Sequence, residues 1–352
     1  MGSTRTNLTI LASIVLLAGQ AAGAGPAMAD GCPATTDQWE ITDLGVTGNA
    51  LDINDLGQIA GSSVSATGEQ RATVWDGAQV IDLGSLGGGH AYAGALDEDG
   101  NVVGSSYTAT EKGHAFHWRA GTMTDLGTFG TIPTLVHDVS AGVIVGEYRY
   151  LLPNGTARYQ AFRIKDGVRT DLAAVSGSYA AAVNPAGQIA GTQRRLEPPG
   201  PASQRTHRAF LWEDGVITEL GTLGGQWSQA EGINGDGHIV GQSALGADGV
   251  LAGGYIWSAE EGMRRLPDAG GLAAPKAVND DDMIVGTHAC TAAGTAAHAA
   301  VWTGPGATPA LLPDPATGTA TMANAVNAQG EITGWAEAPD GTRRALVWRP
   351  AR

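Results

Sequence analysis

The sequence predicts an all-β protein, a single seven-bladed β-propeller of four-stranded blades, and three observations carry that prediction. A unit of about 45 residues recurs seven times after residue 38, a period that belongs to propellers, solenoids or arrays. Its strand-sized runs are rich in Val, Ile, Thr and Trp and are broken by Gly, Asn and Asp, which is hairpin chemistry. The units also start out of phase with the chain, as a ring closed by its own N-terminal strand requires.

Anchor residues set the register. A glycine ending an Ile-Val-Gly-like segment recurs at Gly61, Gly104, Gly146, Gly191, Gly241, Gly286 and Gly334. Seven residues earlier stands a polar turn residue, Asn54, Asp97, Asn184, Asn234, Asn279 or Asn327, and the third copy, one residue short, offers Ser140. Each copy closes on a large side chain: Trp75, Trp118, Ile164, Trp212, Trp257, Trp302 and Trp348.

Taken in order, residues 1–29 read as a secretory leader, with Arg5, an apolar Leu8–Leu17 core and Ala27-Met28-Ala29 as the cleavage context. Residues 30–38 form a tail, and 39–350 hold the propeller. Trp39-Glu40-Ile41-Thr42-Asp43-Leu44-Gly45 matches the fourth strand of a unit. Each copy then supplies a first strand into the Asn, a second through the Gly, a variable connection, a third ending at the Trp, and a fourth. The last copy stops at its third strand, Ala345–Trp348. The N-terminal strand is therefore expected to complete the final blade, three strands plus one.

Composition narrows the function classes. Net charge is −15, which argues against nucleic acid or an anionic membrane as partner. No segment after the leader is long and apolar enough to insert in a membrane. Cys32 and Cys290 are the two cysteines, and in an exported chain they invite a disulfide. The topology places their strand ends near opposite faces, so the sequence leaves that bond open.

Catalytic and metal signatures do not stand out. The eight His lack metal-ligand spacing. Asp97-Glu98-Asp99-Gly100 and Asn279-Asp280-Asp281-Asp282 sit on tight turns, where such residues serve backbone geometry, and a calcium loop needs more oxygens. No metal or cofactor is expected. The recurrent Trp reads as packing between blades. The acid before Leu in the fourth strand (Asp43, Asp82, Asp125, Asp171, Glu219) reads as a hydrogen-bonding group of the fold.

His207-Arg208-Ala209-Phe210-Leu211-Trp212, continuing through Glu219-Leu220-Gly221-Thr222-Leu223-Gly224-Gly225, resembles the HAF family of probable extracellular repeats. His114-Ala115-Phe116-His117-Trp118 repeats the motif, and His298-Ala299-Ala300-Val301-Trp302 is a weaker copy. The resemblance spans residues 39 to about 350. It implies an exported, propeller-like bacterial protein with no agreed catalytic residues.

Function in a symmetric ring is sought where the copies differ, and the loops between second and third strands vary most, the longest being Tyr150–Gln160 and Arg195–His207. After the second strands, the usual ending gives way to Tyr107, to Glu147-Tyr148-Arg149-Tyr150, and to Arg194-Arg195 in three consecutive copies. Blade-crossing loops on the same face add His90, Tyr92, His137, Gln226 and Trp227. Tyr and Arg together suit stacking on sugar rings and pairing with carboxylates or sulfates. The expectation is a secreted, monomeric binding module for an envelope glycan or a protein, without catalysis. The alternative is a polysaccharide lyase in which Tyr or His abstracts a proton and Arg neutralises a uronate.

Overall fold

The computed structural model describes residues 32–130, 133–172, 177–194, 207–246, 252–290, 297–315 and 320–352. The expected leader and Arg195 lie outside them. Every regular element among the described residues is a strand, and none is a helix able to cross a membrane.

The strands form antiparallel meanders arranged as a β-propeller. Five sheets have four strands each, in chain order, and one has seven. The seven-stranded sheet is joined by one long strand, Trp39–Ile53. Its first half, Trp39–Asp43, pairs with Leu346–Pro350, and its second half, Gly48–Ile53, pairs with Ile59–Ser63.

Cores lie between successive copies, because each sheet must bury both faces. Ala190, Ala209 and Leu211 of copy four pack with Ile239, Tyr255 and Trp257 of copy five. The same arrangement joins the last copy to the first, through Ala345 and Val347 against Ile53, Ile59 and Trp75. Trp302 and Trp348 are fully buried, and their indole N–H groups donate to Pro267 O and Pro313 O of crossing segments.

The turn asparagines do more than turn. Asn54, Asn184, Asn234, Asn279 and Asn327 are all buried. In each, Oδ1 caps its own turn while Nδ2 reaches the backbone carbonyl of the next copy. Asn184 donates to Asn234 O, Asn234 to Asn279 O, Asn279 to Asn327 O, Asn327 to Asn54 O, and Asn54 to Asp97 O. The series breaks at Asp97, whose side chain has no N–H to give, and at Ser140, where a two-residue turn of Ala141 (φ 46°) and Gly142 (φ 75°) replaces the longer one. Copy three still reaches copy four through Asp138, which accepts from Val183 N at 2.8 Å, as Asp52 accepts from Leu96 N of copy two.

The recurrent glycine has a steric cause. In each copy the first strand carries a β-bulge opposite it: Ala50 and Asp52 pair with Gly61 and Ala60, so Leu51 is left over. A Cβ at Gly61, Gly104, Gly146, Gly191, Gly241, Gly286 or Gly334 would be driven into the carbonyl oxygen of Asn49, Tyr92, Leu135, Tyr179, Gln229, Ala274 or Met322.

One question left open by the sequence is answered, and one expectation is revised. Cys32 and Cys290 are bonded, with Cα atoms 4.7 Å apart. The seven steps from Cys32 to Trp39 span up to about 25 Å of extended chain, enough to cross a blade, and the tail runs beside Leu311 of copy six on its way. The segment Tyr150–Gln160 is not a loop. Val143–Leu151 and Ala157–Lys165 form one long hairpin, turned over Pro153-Asn154-Gly155, where Gly155 takes φ 78°.

Candidate functional site

Seven bulges place seven unpaired residues at equivalent points of the innermost strands: Leu51, Gly94, His137, Ala181, Glu231, Lys276 and Asn324. The framework around them repeats and these do not. Lys276 Nζ donates to Glu231 Oε2 at 2.6 Å, and Gln229 Nε2 to Glu231 Oε1 at 3.1 Å. Asn324 Nδ2 donates to Ala50 O at 2.7 Å, which ties its side chain to copy one. His137 has its side chain 35% exposed, its Nε2 4.0 Å from Glu147 Oε1 and its ring centroid 6.4 Å from that of Tyr179.

Electrostatics link these residues across copies. Burial first, and then the charge of Lys276 three copies away, push His137 down to about 4, so it is neutral near pH 7. With 35% of its side chain exposed, the protein packed around the rest of the ring still disfavours the imidazolium. Burial raises Glu147 to about 7 and drives Tyr179 well upward, the Glu231 charge adding to it.

Deeper on the same strands, Asp52 and Asp138 accept backbone bonds from Leu96 N and Val183 N. Burial raises Asp52 to about 6, and burial with the Asp52 charge raises Asp138 to about 8. Both folded values lie above the ordinary carboxylate range. Their protonated forms therefore stabilise the fold fully at pH values below that range, and the contribution is lost as pH rises through about 6 to 8. The protein should melt higher at pH 5 than at pH 9, with a slope of up to about 1.4 kcal/mol per pH unit for each proton. Asp138→Ala, the residue that copies two and four carry there, should flatten it. An unchanged slope in thermal melts of that variant would contradict the assignment.

The other residues singled out from sequence fall into groups. His90 and Tyr92 lie on the inner strand Gly87–Leu96, and His137 on Leu135–Ser140, rather than on crossing loops. These inner strands extend further toward the face than the repeat pattern indicated. His90 accepts from Gln70 N and meets the edge of Tyr107 at 5.9 Å. Tyr148 is committed to the fold: its hydroxyl donates to Asp171 at 2.9 Å, it packs on Phe129, Phe162 and Tyr150, and Arg169 lies over its ring. Trp227 precedes the inner strand of copy five, and its carbonyl accepts from Ala244 N. The turn acids are also engaged in the fold, Glu98 accepting from Asp55 N and Asp280 from Gly235 N.

Arg149 and Arg194 are brought together by a residue that sequence reading missed. Arg149 faces Tyr159 across the long hairpin. Tyr159 O accepts from Gly177 N, Gly177 O accepts from Arg194 N, and Tyr159 is 45% exposed between the two arginines. Strand alternation was the available signal, but it is hidden when 150–160 is taken as a loop. Residues 149–208 contain nine basic and three acidic side chains, a net +6, which leaves −21 for the rest of the chain. Among the described residues, Arg149, Arg158, Arg163 and Arg194 have no carboxylate partner.

No protein-family model matches the sequence, and no curated protein does. Solved structures do. The β-propeller domain of the Trilobed protease from Pyrococcus furiosus, described as having an open velcro topology, superimposes with TM-score 0.59 at 10% identity, over 86% of this chain and 95% of its own. An acylaminoacyl peptidase gives TM-score 0.58 at 11% identity, over 86% and 51%. A puromycin-hydrolyzing peptidase of Mycobacterium tuberculosis gives 0.53 at 14%, over 88% and 53%. The chain spans about half the length of these two peptidases. Identities this low speak to fold alone, and the fold they share with this chain is the β-propeller.

Proposed function

We propose that this is an exported HAF-type repeat protein, a seven-bladed propeller closed by its N-terminal strand, that binds an anionic glycan of the cell envelope. Counting the long strand Trp39–Ile53 once for each half of its sheet gives seven four-stranded blades. The bond from Asn327 to Asn54 O and the core shared by the last and first copies support closure. A disulfide suits an oxidising compartment and hence export.

The observation that carries the binding role is the Arg149–Tyr159–Arg194 surface, cationic and aromatic on an acidic protein. An exposed Tyr between two arginines offers a sugar ring a face to stack on and its carboxylates charge-assisted donors. The lyase reading finds less support. A Tyr base needs a lowered hydroxyl, and burial raises Tyr92, Tyr148 and Tyr179 instead.

The test is the double change Arg149→Ala, Arg194→Ala, assayed against oligogalacturonate by titration calorimetry. Each lost charge-assisted bond should weaken binding by about 1–2 kcal/mol, giving at least about a tenfold loss of affinity together. Melting should shift by no more than about 0.5 kcal/mol, as for surface sites generally. Arg119→Ala with Arg264→Ala removes the same charge near the turns between third and fourth strands. Equal losses from both doubles would reduce the effect to net charge and end the proposal.

A further inference from the structure

Glu147 carries a carboxyl that the protein itself leaves uncompensated. It sits on Val143–Leu151, with its side chain 14% exposed, and its nearest basic group is His137 Nε2 at 4.0 Å. Among the described residues no hydrogen-bond donor reaches it. The equivalent residues of the other copies are Ser62, Ser105, Thr192, Gln242, Thr287 and Trp335, all uncharged. Copy three alone places an acid there.

Among the described residues no charged basic group lies within ion-pair distance of it. His137 and Asp138 come from its own copy, Tyr179 from copy four, Glu231 and Lys276 from copies five and six, and Arg149 lies two residues along its own strand. His137 is neutral near pH 7 because burial and Lys276 both oppose its charge. Lys276 is engaged by Glu231. Burial alone accounts for the rise of Glu147.

A group that would satisfy this carboxyl needs positive charge and several N–H donors. Hard metal ions call for six or more oxygens, and one carboxyl does not supply them. An ammonium supplies three donors to Glu147 and finds the rings of His137 and Tyr179 beside it, where a cation is favoured over an aromatic face.

We propose that Glu147 is the counter-ion for a primary ammonium on the ligand, flanked by His137 and Tyr179, and that the ligand bears a free amino sugar. The glycan assignment rests on the reading of the arginine surface, to which this site is joined. Glu147 and Arg149 lie on the same face of one strand, about 6.6 Å apart along it, so amino and acidic substituents of one short glycan can engage both.

The experiment titrates the full protein with a glucosamine oligosaccharide and with its N-acetylated counterpart at physiological ionic strength. The amino form should bind at least about tenfold tighter, and Glu147→Gln should remove that preference. Wild-type affinity should fall about tenfold per pH unit below 7, as Glu147 takes up a proton that the ammonium must displace, while Glu147→Gln stays flat. Glu147→Thr, the residue of copies four and six, gives a second variant with a side chain that the repeat accommodates. Equal binding of the two oligosaccharides, or wild-type affinity in both variants, would overturn the proposal. So would binding of a peptide N-terminus through Glu147 without binding of the amino sugar. Oligogalacturonate binding should not be weakened by Glu147→Gln, because the change only removes negative charge beside Arg149. Its failure in the wild-type protein would sink the arginine-surface reading while leaving the ammonium result to stand on its own.

Discussion

A chain that begins at Val46 should lose the cooperative melting transition of one that begins at Asp30. Such a truncation removes Trp39–Asp43, which pairs with Leu346–Pro350 along the whole edge of the final sheet. It exposes Val347 and Trp348 and leaves Gly330 O without the indole donor of Trp39, 2.9 Å away. Trp39 itself is buried against Val285, Leu346 and Trp348. Replacing a buried Trp by Ala commonly costs about 3–5 kcal/mol, a large part of the stability of an ordinary domain. Losing the strand and its ladder should cost more than Trp39→Ala. The truncation also removes Cys32, and a disulfide enclosing 258 residues constrains the unfolded chain by up to about 5 kcal/mol in the loop-entropy account. Cys32→Ser with Cys290→Ser therefore serves as the reference. Scanning calorimetry should place the truncation well below that double variant. If the two melt together, the N-terminal strand does not hold the ring.

The strands were legible because the repeat writes them seven times, and each copy corrects the reading of the others. The anchor Gly and Asn could be located without their reasons being visible. The Asn read as a turn residue, since turns favour it, yet its second bond goes to the next copy about 45 residues away. The Gly read as part of a strand motif, while its cause is the carbonyl of a bulge on the neighbouring strand. Bulges leave no mark on the spacing when every copy has one. The series of bulge residues from Leu51 to Asn324 is therefore invisible in the spacing, and His137 reads as part of a crossing loop. Arg149 and Arg194 were found because the copies diverge there. Tyr159 was missed because strand alternation on a hairpin extension cannot be read once the segment is treated as a loop. The disulfide turned on how far a seven-residue tail reaches, which is a matter of path rather than pattern.

Gly146→Ala should damage both the fold and the site, and its comparison with Gly142→Ala separates the two. A Cβ on Gly146 would collide with Leu135 O and crowd the Cα of Val136. Both are backbone atoms of the inner strand, and they flank the bulge that frees His137. Neither can swing aside as a flexible side chain would, so the bulge must shift or flatten. Overpacking of this kind typically costs about 1–3 kcal/mol, and here it also moves His137 relative to Glu147, one residue from the glycine. Gly142 differs in kind. Its φ of 75° strains an Ala, but nothing lies within 4 Å of the added carbon, so the expected cost is about 1–2 kcal/mol of backbone strain with no change around Glu147. Measured at a temperature where both variants are folded, Gly146→Ala should lose the preference for the amino sugar and Gly142→Ala should keep it. Equal stability losses with ligand preference intact in both would mean that the bulge can relax without moving His137. The recurrent glycine would then serve packing alone.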